Sequence, residues 1–408
     1  MSIQRLSNNL WALLAAALVV QLWLIISGIV RGGLWDLNYV YQPWVESVLS
    51  GGPRLGIDAE WVYPFPAFIP MLLADLVAPG QLMVGWLVLL VPANLVAVGK
   101  LAGWGKICDR ESQSDGFAAS WFYITFLFLL GPVAIGRLES VTLVMAIFGI
   151  SALQRSRISS SSLWFSLAMW IKVWPAALIV AFVAAGHDRP RIMLVASATS
   201  ALMLIVGLLL GGDQHLFSFV AAQSARGIQI ESPVAAWWLW QIVAGVPDTY
   251  IYDDPLILSY QVIGVGVDMV SRVLGILMVI AVGVTFVLGV MAARRGVSWQ
   301  RVVALTALSC MLDLIVFNKV GSPQYIMWLA APVLFGLLAR VPYWRAPALS
   351  VLALAFATWM VFPISYSSIV AAKAGGIALL TLRNVGLVAL FASSTWNLAV
   401  VGVEKRDR

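Results

Sequence analysis

The sequence predicts an all-α polytopic membrane protein, a bundle of about twelve transmembrane helices with two long outer loops that carry juxtamembrane helices. Three observations lead there. Of its 408 residues, 61% are hydrophobic and only 11% are charged, too few charges for the polar shell that soluble domains of this total length require. Apolar runs approaching the ~20 residues needed to cross the hydrocarbon recur along the whole chain. The charges punctuate those runs instead of clustering, so the surplus of +6 reflects membrane topology and not a nucleic-acid surface. Cys108 and Cys310 form neither a disulfide framework nor a CxxC pair, and two histidines are too few for a His-rich metal site.

Taken in order, the expected spans lie near 10–30, 81–103, 117–135, 139–154, 162–173, 174–185, 191–211, 269–291, 301–317, 326–340, 347–363 and 377–400. The first is longer than the apolar core of a cleavable signal and is expected to stay in the protein. With the N-terminus inside, Arg5, Lys100, Lys106, Arg110, Arg155, Arg157, Arg189, Arg191, Arg294, Arg295, Arg301, Arg340, Arg345, Lys405, Arg406 and Arg408 fall on the inner side, and both termini are cytoplasmic. The basic residues left over, Arg31, Arg54, Arg137, Lys172, Arg226, Arg272, Lys319, Lys373 and Arg383, sit at or near outer ends of spans. Residues 64–79 are apolar but short and broken by four prolines. They are expected to form a re-entrant or interfacial helix, so 31–80 make one outer loop with this segment inside it. IKVWP places a Lys and a Pro between 162–173 and 174–185, which fits a broken helix hairpin with its tip outward. The second long outer loop is 212–268, and the whole chain is one transmembrane domain.

Ionisable residues at membrane level are costly and are candidates for function. Asp36 follows the first span among aromatics that would exclude water, a setting for a general base, unless it simply caps a short helix. Asp58 and Glu60 would face one way in an extended segment and could hold a substrate hydroxyl or a divalent cation; solvated loop acids are the alternative. Asp253-Asp254 before Pro255 is expected to be a turn. Arg137, Lys172, Arg226 and Lys319 are four cations at one level on separate segments, matched to a phosphate or diphosphate, against snorkelling and pairing with Glu139 and Glu231. Residues 318–325, NKVGSPQY, carry more hydrogen-bonding groups than a plain connector needs. WVYPFP and AAWWLWQ are candidate sugar platforms or parts of an interfacial aromatic belt. No P-loop, GxGxxG, HExxH or GxSxG string occurs, so nucleotide hydrolysis, dinucleotide binding and common hydrolase chemistry lack support.

Asp36, YPFP, GRLES, KVWP, RGIQIESP and NKVGSPQYIMWL together resemble the integral membrane glycosyltransferases of the GT-C class. They are most similar to the actinobacterial polyprenol-phosphate-mannose-dependent mannosyltransferases of the phosphatidylinositol mannoside type. The resemblance implies a GT-C-like bundle in the plasma membrane whose active site faces the periplasm. It implies transfer of a sugar, best taken as mannose, from a polyprenyl-phosphate donor to a hydroxyl of a lipid-linked glycan or glycolipid, with inversion. Asp36 would be the base. Lys172, Arg226, Lys319 and Arg137 would hold the donor phosphate, and Asp58, Glu60, Glu139, Gln229, Glu231, Asn318, Ser322, Gln324 and Tyr325 would contact substrate. The D-A-E acidic pair lies away from Asp36, which leaves open which carboxylate is the base. No cofactor is implied, with a divalent metal left open, and nucleic acid is not a partner. An arabinofuranose donor, a twelve-span secondary transporter and a non-catalytic lipid-binding subunit are the competing expectations; a transporter would show related halves and a midplane site, and no internal repeat is visible.

Overall fold

The computed structural model describes residues 9–104, 110–224, 226–255 and 259–401. The two terminal stretches whose side was inferred above, and Lys106 and Cys108, lie outside the described residues. The chain is mostly helical. In order it forms α1 (Leu10–Arg31), a π-helical turn (Leu37–Tyr41), α2 (Gln42–Leu49), α3 (Phe68–Val77), α4 (Leu82–Leu101), α5 (Arg110–Leu130), α6 (Leu138–Leu153), α7 (Ile158–Ile171), α8 (Ala176–Ala185) and α9 (Arg189–Leu209). Then come α10 (Ser218–Ser224), α11 (Ala236–Val243), strands β1 (Tyr250–Asp254) and β2 (Ser259–Ile263), α12 (Val267–Arg294), α13 (Trp299–Val316), α14 (Ala330–Leu338), α15 (Arg345–Trp359), α16 (Tyr366–Val370) and α17 (Ala374–Val400).

Each of the twelve expected spans is a helix. Among the described residues, eight helices are long and apolar enough to cross a membrane. The segments 138–153, 158–171, 176–185 and 323–338 are shorter. The long spans keep an apolar exterior: Trp11, Ile26, Leu209, Ile276, Val279 and Trp396 are exposed, as expected of side chains that face lipid. α13 lies deep in the bundle, with the run from Val302 to Asp313 buried. Within residues 64–79, a 3₁₀ turn (Phe65–Ala67) leads into the short helix α3, packed along α4.

The expectation of a purely helical chain needs one correction. β1 and β2 pair as an antiparallel hairpin in the second long loop, with Tyr250 opposite Ile263 and Asp254 opposite Ser259. The segments YIYDD and SYQVI are rich in aromatic and β-branched residues, and Pro255 after the acidic pair ends the first strand. A second correction concerns Arg383. Expected near an outer helix end, it lies inside α17 and is 2% exposed.

Close backbone approach joins the elements that carry the polar residues. A Cβ on Gly33 would come within 2.6 Å of Pro132, and one on Gly136 within 2.8 Å of Leu34. The turn after α1 therefore rests directly on the turn before α6. Trp86 of α4 fastens the same turn, donating its indole N–H to the Ile135 carbonyl at 2.8 Å.

Candidate functional site

The loops at one end of the bundle gather the polar residues in two connected groups. In the first, Asp36 begins the π-helical turn and Arg137 is the N-cap residue of α6. The glycine contacts bring the two turns together, and the Arg137 guanidinium forms an ion pair with the Asp36 carboxylate. Asp36 stays partly open, at 27% side-chain exposure, while Arg137 is buried. The Asp36 carboxylate therefore meets a cation, while Trp35 and Tyr39 on either side of it stack on each other.

In the first turn of α6, Glu139 is fully buried and receives Lys172, whose Nζ lies 2.6 Å from Oε1. Lys172 ends α7 at the helix break; Pro175 follows and caps α8. Its ammonium also sits over the Tyr63 ring, 4.5 Å from the centroid, and 6.0 Å from that of Tyr325. Tyr325 stacks on Trp328 and Trp328 on Trp174. Burying two opposite charges together avoids the cost of burying either alone, so the ammonium of Lys172 is internally balanced.

The second group joins the second long loop to the turn after α13. Gln229 donates its backbone N–H to the Lys319 carbonyl, and Ser232 its hydroxyl to the Asn318 carbonyl. Ser322 Oγ reaches Gln229 Oε1 at 3.5 Å, and Asn318 Oδ1 accepts from the Val320 backbone N–H, closing the turn. A Cβ on Gly321 would fall 2.2 Å from the backbone of Glu231 and Ser232, so only glycine permits this contact. Ser271 of α12 ties the cations together: it accepts from Lys319 Nζ at 3.3 Å and donates to the Arg226 carbonyl at 3.4 Å. Lys319 and Arg226 lie within charge–charge range, and burial followed by the Arg226 charge lowers the Lys319 ammonium below the ordinary lysine value. Arg226 Nε is buried without a hydrogen-bond partner, and Arg226 also lies within electrostatic range of Tyr325, which bridges the two groups.

Glu231 is buried, and burial raises its carboxyl above the usual range. Its Oε1 accepts from the Tyr366 hydroxyl at 2.7 Å. Tyr366 was not among the residues singled out in the sequence: a lone Tyr in an apolar run carries no local signal, and only the fold brings it, with Arg383, to Glu231.

Other expected site residues lie elsewhere. Residues 54–59 form a tight turn instead of an extended strand, because the Gly56 and Asp58 backbone N–H groups bond within it. Asp58 turns back onto Arg54, accepting from Nε at 2.6 Å and Nη2 at 2.7 Å. That guanidinium holds its carboxyl down at about 2. Glu60 is exposed, so the two acids do not form a shared face. Gln324 is half-buried in the 3₁₀ turn that follows residue 322. Asp254 accepts from Gln261 across the hairpin at 2.8 Å, a structural use of the acidic pair. In the WVYPFP segment Trp61 is buried against Trp44 and Tyr63, whereas in AAWWLWQ Trp237 is exposed. Among the described residues, no group of three or more His, Cys, Asp or Glu is placed to hold a metal ion.

Comparison with known families supplies a class for this arrangement. The sequence model of Glycosyltransferase family 87 matches residues 61–312. No curated protein matches the chain. The match takes in Tyr63, Arg137, Glu139, Lys172, Arg226, Gln229 and Glu231; it begins after Asp36 and ends before Asn318. Since the match covers more than half of the chain and the chain carries long apolar helices, this protein belongs to glycosyltransferase family 87 and is a membrane glycosyltransferase.

Proposed function

We propose that the protein moves a sugar, mannose in the first instance, from a polyprenyl-phosphate donor to a hydroxyl of a lipid-linked glycan on the outer side of the plasma membrane, with inversion. One observation carries this reading: Arg226 and Lys319, from loops far apart in sequence, lie within charge–charge range, and Ser271 bonds the Arg226 backbone carbonyl and the Lys319 ammonium. Two like charges kept together in a half-buried place favour an anion between them, and Arg supplies a planar fork that suits phosphate oxygens. Asp36 is the base. It takes the acceptor hydroxyl's proton as that oxygen attacks C1, and the bond from C1 to the phosphate oxygen breaks with its electron pair leaving on the lipid phosphate. Fixed cations at that oxygen stabilise the charge as it develops.

Arg137 and Lys172, first grouped with the phosphate ligands, take different roles because each has a carboxylate partner. Arg137 orients Asp36. The Lys172–Glu139 pair, flanked by Tyr63 and Tyr325, offers hydrogen bonds and an aromatic face to a sugar. Gln229, Glu231, Asn318 and Ser322 line the approach to the phosphate.

The test is incubation of purified protein in lipid nanodiscs with a panel of polyprenyl-phosphate sugars and glycolipid acceptors, with products read by mass. Transfer from the mannosyl donor is expected. Product only from a pentofuranosyl donor would replace the sugar assignment, and none from any donor would sink the reaction.

A further inference from the structure

The last two helices bring polar groups to this site from beyond the family match. Tyr366, on α16, donates its hydroxyl to Glu231 Oε1 at 2.7 Å. It also lies within charge–charge range of Arg137, the partner of Asp36. Arg383, inside α17, is 2% exposed and donates from Nη2 to the Glu231 carbonyl at 3.1 Å. Its neighbour Asn384 donates to the Ser232 carbonyl at 3.4 Å. A guanidinium inside an apolar helix is expensive, so its presence calls for a specific partner. Here the partner is the backbone of the loop that carries Gln229 and Glu231. Gly321 also packs directly on the backbone of Glu231 and Ser232. The loop is thus contacted by both α17 and the turn after α13, and its buried carboxylate Glu231 is bonded by one phenol.

We propose that Tyr366 and Arg383 are positioning residues of the transfer site: Tyr366 fixes the rotamer of Glu231, and Arg383 fixes the backbone beneath it, so that Glu231 meets a sugar hydroxyl beside the Arg226–Lys319 pair. The proposal rests on the glycosyl-transfer reading above for its chemistry, but not for its geometry. It makes the C-terminal helices part of the site, although the family match ends at residue 312.

The test uses the full-length protein in nanodiscs. Tyr366→Phe keeps the ring contacts with Tyr260 and Phe362, so its melting temperature is expected to be unchanged. Removing a hydrogen bond to a charged group is expected to lower kcat/KM by about 10- to 100-fold. Because Tyr366 acts through Glu231, Tyr366→Phe added to Glu231→Gln is expected to cause no further loss. Wild-type activity in Tyr366→Phe, or losses that multiply in the double variant, would overturn the assignment.

Hydrogen exchange provides a readout that needs no substrate. The amides of Gln229 and Ile230, bonded to the Lys319 and Tyr260 carbonyls, are expected to exchange faster in Arg383→Lys; unchanged exchange removes Arg383 from the proposal. Tyr366→Phe is read the same way if Arg383→Lys does not assemble. A wild-type protein that uses no donor would therefore count against the reaction, while exchange still decides the positioning.

Discussion

At the scale of single residues, Asp36 and Lys319 give the sharpest expectations. Asp36→Asn preserves size and some hydrogen bonding but cannot accept a proton, so transfer is expected to fall by about 10²- to 10⁴-fold. Comparable turnover in wild type and variant, measured with purified protein, would reassign the base. Lys319 makes a pH prediction. Burial and Arg226 depress its ammonium, so the charge that binds phosphate is present below the lowered value and lost as pH rises through it. Donor KM is expected to rise on the alkaline side, earlier than an ordinary lysine would allow. Lys319→Arg stays charged throughout, and its alkaline limb should move upward; coincident profiles would separate Lys319 from the phosphate. Residue types were legible in the sequence because charge is rare in an apolar chain, which drew attention to Asp36, Arg226 and Lys319. Their partners were not. The chain order gives no sign that Arg137 pairs with Asp36 while Lys172 pairs with Glu139, since that choice depends on the close approach of two turns. Asp58 misled because a two-residue spacing aligns side chains only in an extended segment, and Arg54, four residues earlier, closes a turn instead.

Among elements, the turn that carries Gly321 is the most exposed to a single change. A methyl group there must displace the Glu231–Ser232 backbone. Gly321→Ala is therefore expected to cost about 1–3 kcal/mol in stability, with a drop in melting temperature and loss of transfer together. An alanine variant with normal stability and activity would mean that the turn shifts freely. Most helices were legible because a long apolar run has few alternatives in a bilayer. The break between α7 and α8 was visible in Lys172 and Pro175 for the same reason: neither residue continues a lipid-facing helix easily. The β-hairpin was obscured. Its strands are short, its Tyr and Ile content also suits an interfacial surface, and the signal of the second loop was dominated by tryptophans. The depth of Arg383 was equally hidden, because snorkelling and inward hydrogen bonding produce the same letter in the same apolar run.

For the whole molecule, the expected layout of spans puts both long loops on one side of the membrane, and this is open to a direct check. Val265 and Tyr343 are highly exposed, at 88% and 90%, and lie in loops expected on opposite sides of the membrane. In a background with Cys108→Ser, Val265→Cys is expected to react with an impermeant maleimide on intact cells, and Tyr343→Cys only after permeabilisation. The reverse pattern would place the site inside. Overall architecture was readable from hydropathy because the bilayer constrains whole helices, whereas the number that truly cross was not, since helices shorter than a span are stable once protein surrounds them. One of these short helices has a geometric consequence. α7 has 14 residues, so at 1.5 Å each it rises only about 21 Å, against a hydrocarbon layer of roughly 30 Å. If Ile158 stands at one boundary, Lys172 and the ring of Tyr63 lie about 9 Å beneath the other. The reaction centre is then a well sunk below the headgroups. A sugar tethered through phosphate to a long chain can slide down into it sideways from the lipid, shedding water as it goes, while a freely dissolved sugar nucleotide would have to be pulled out of solution to the same depth.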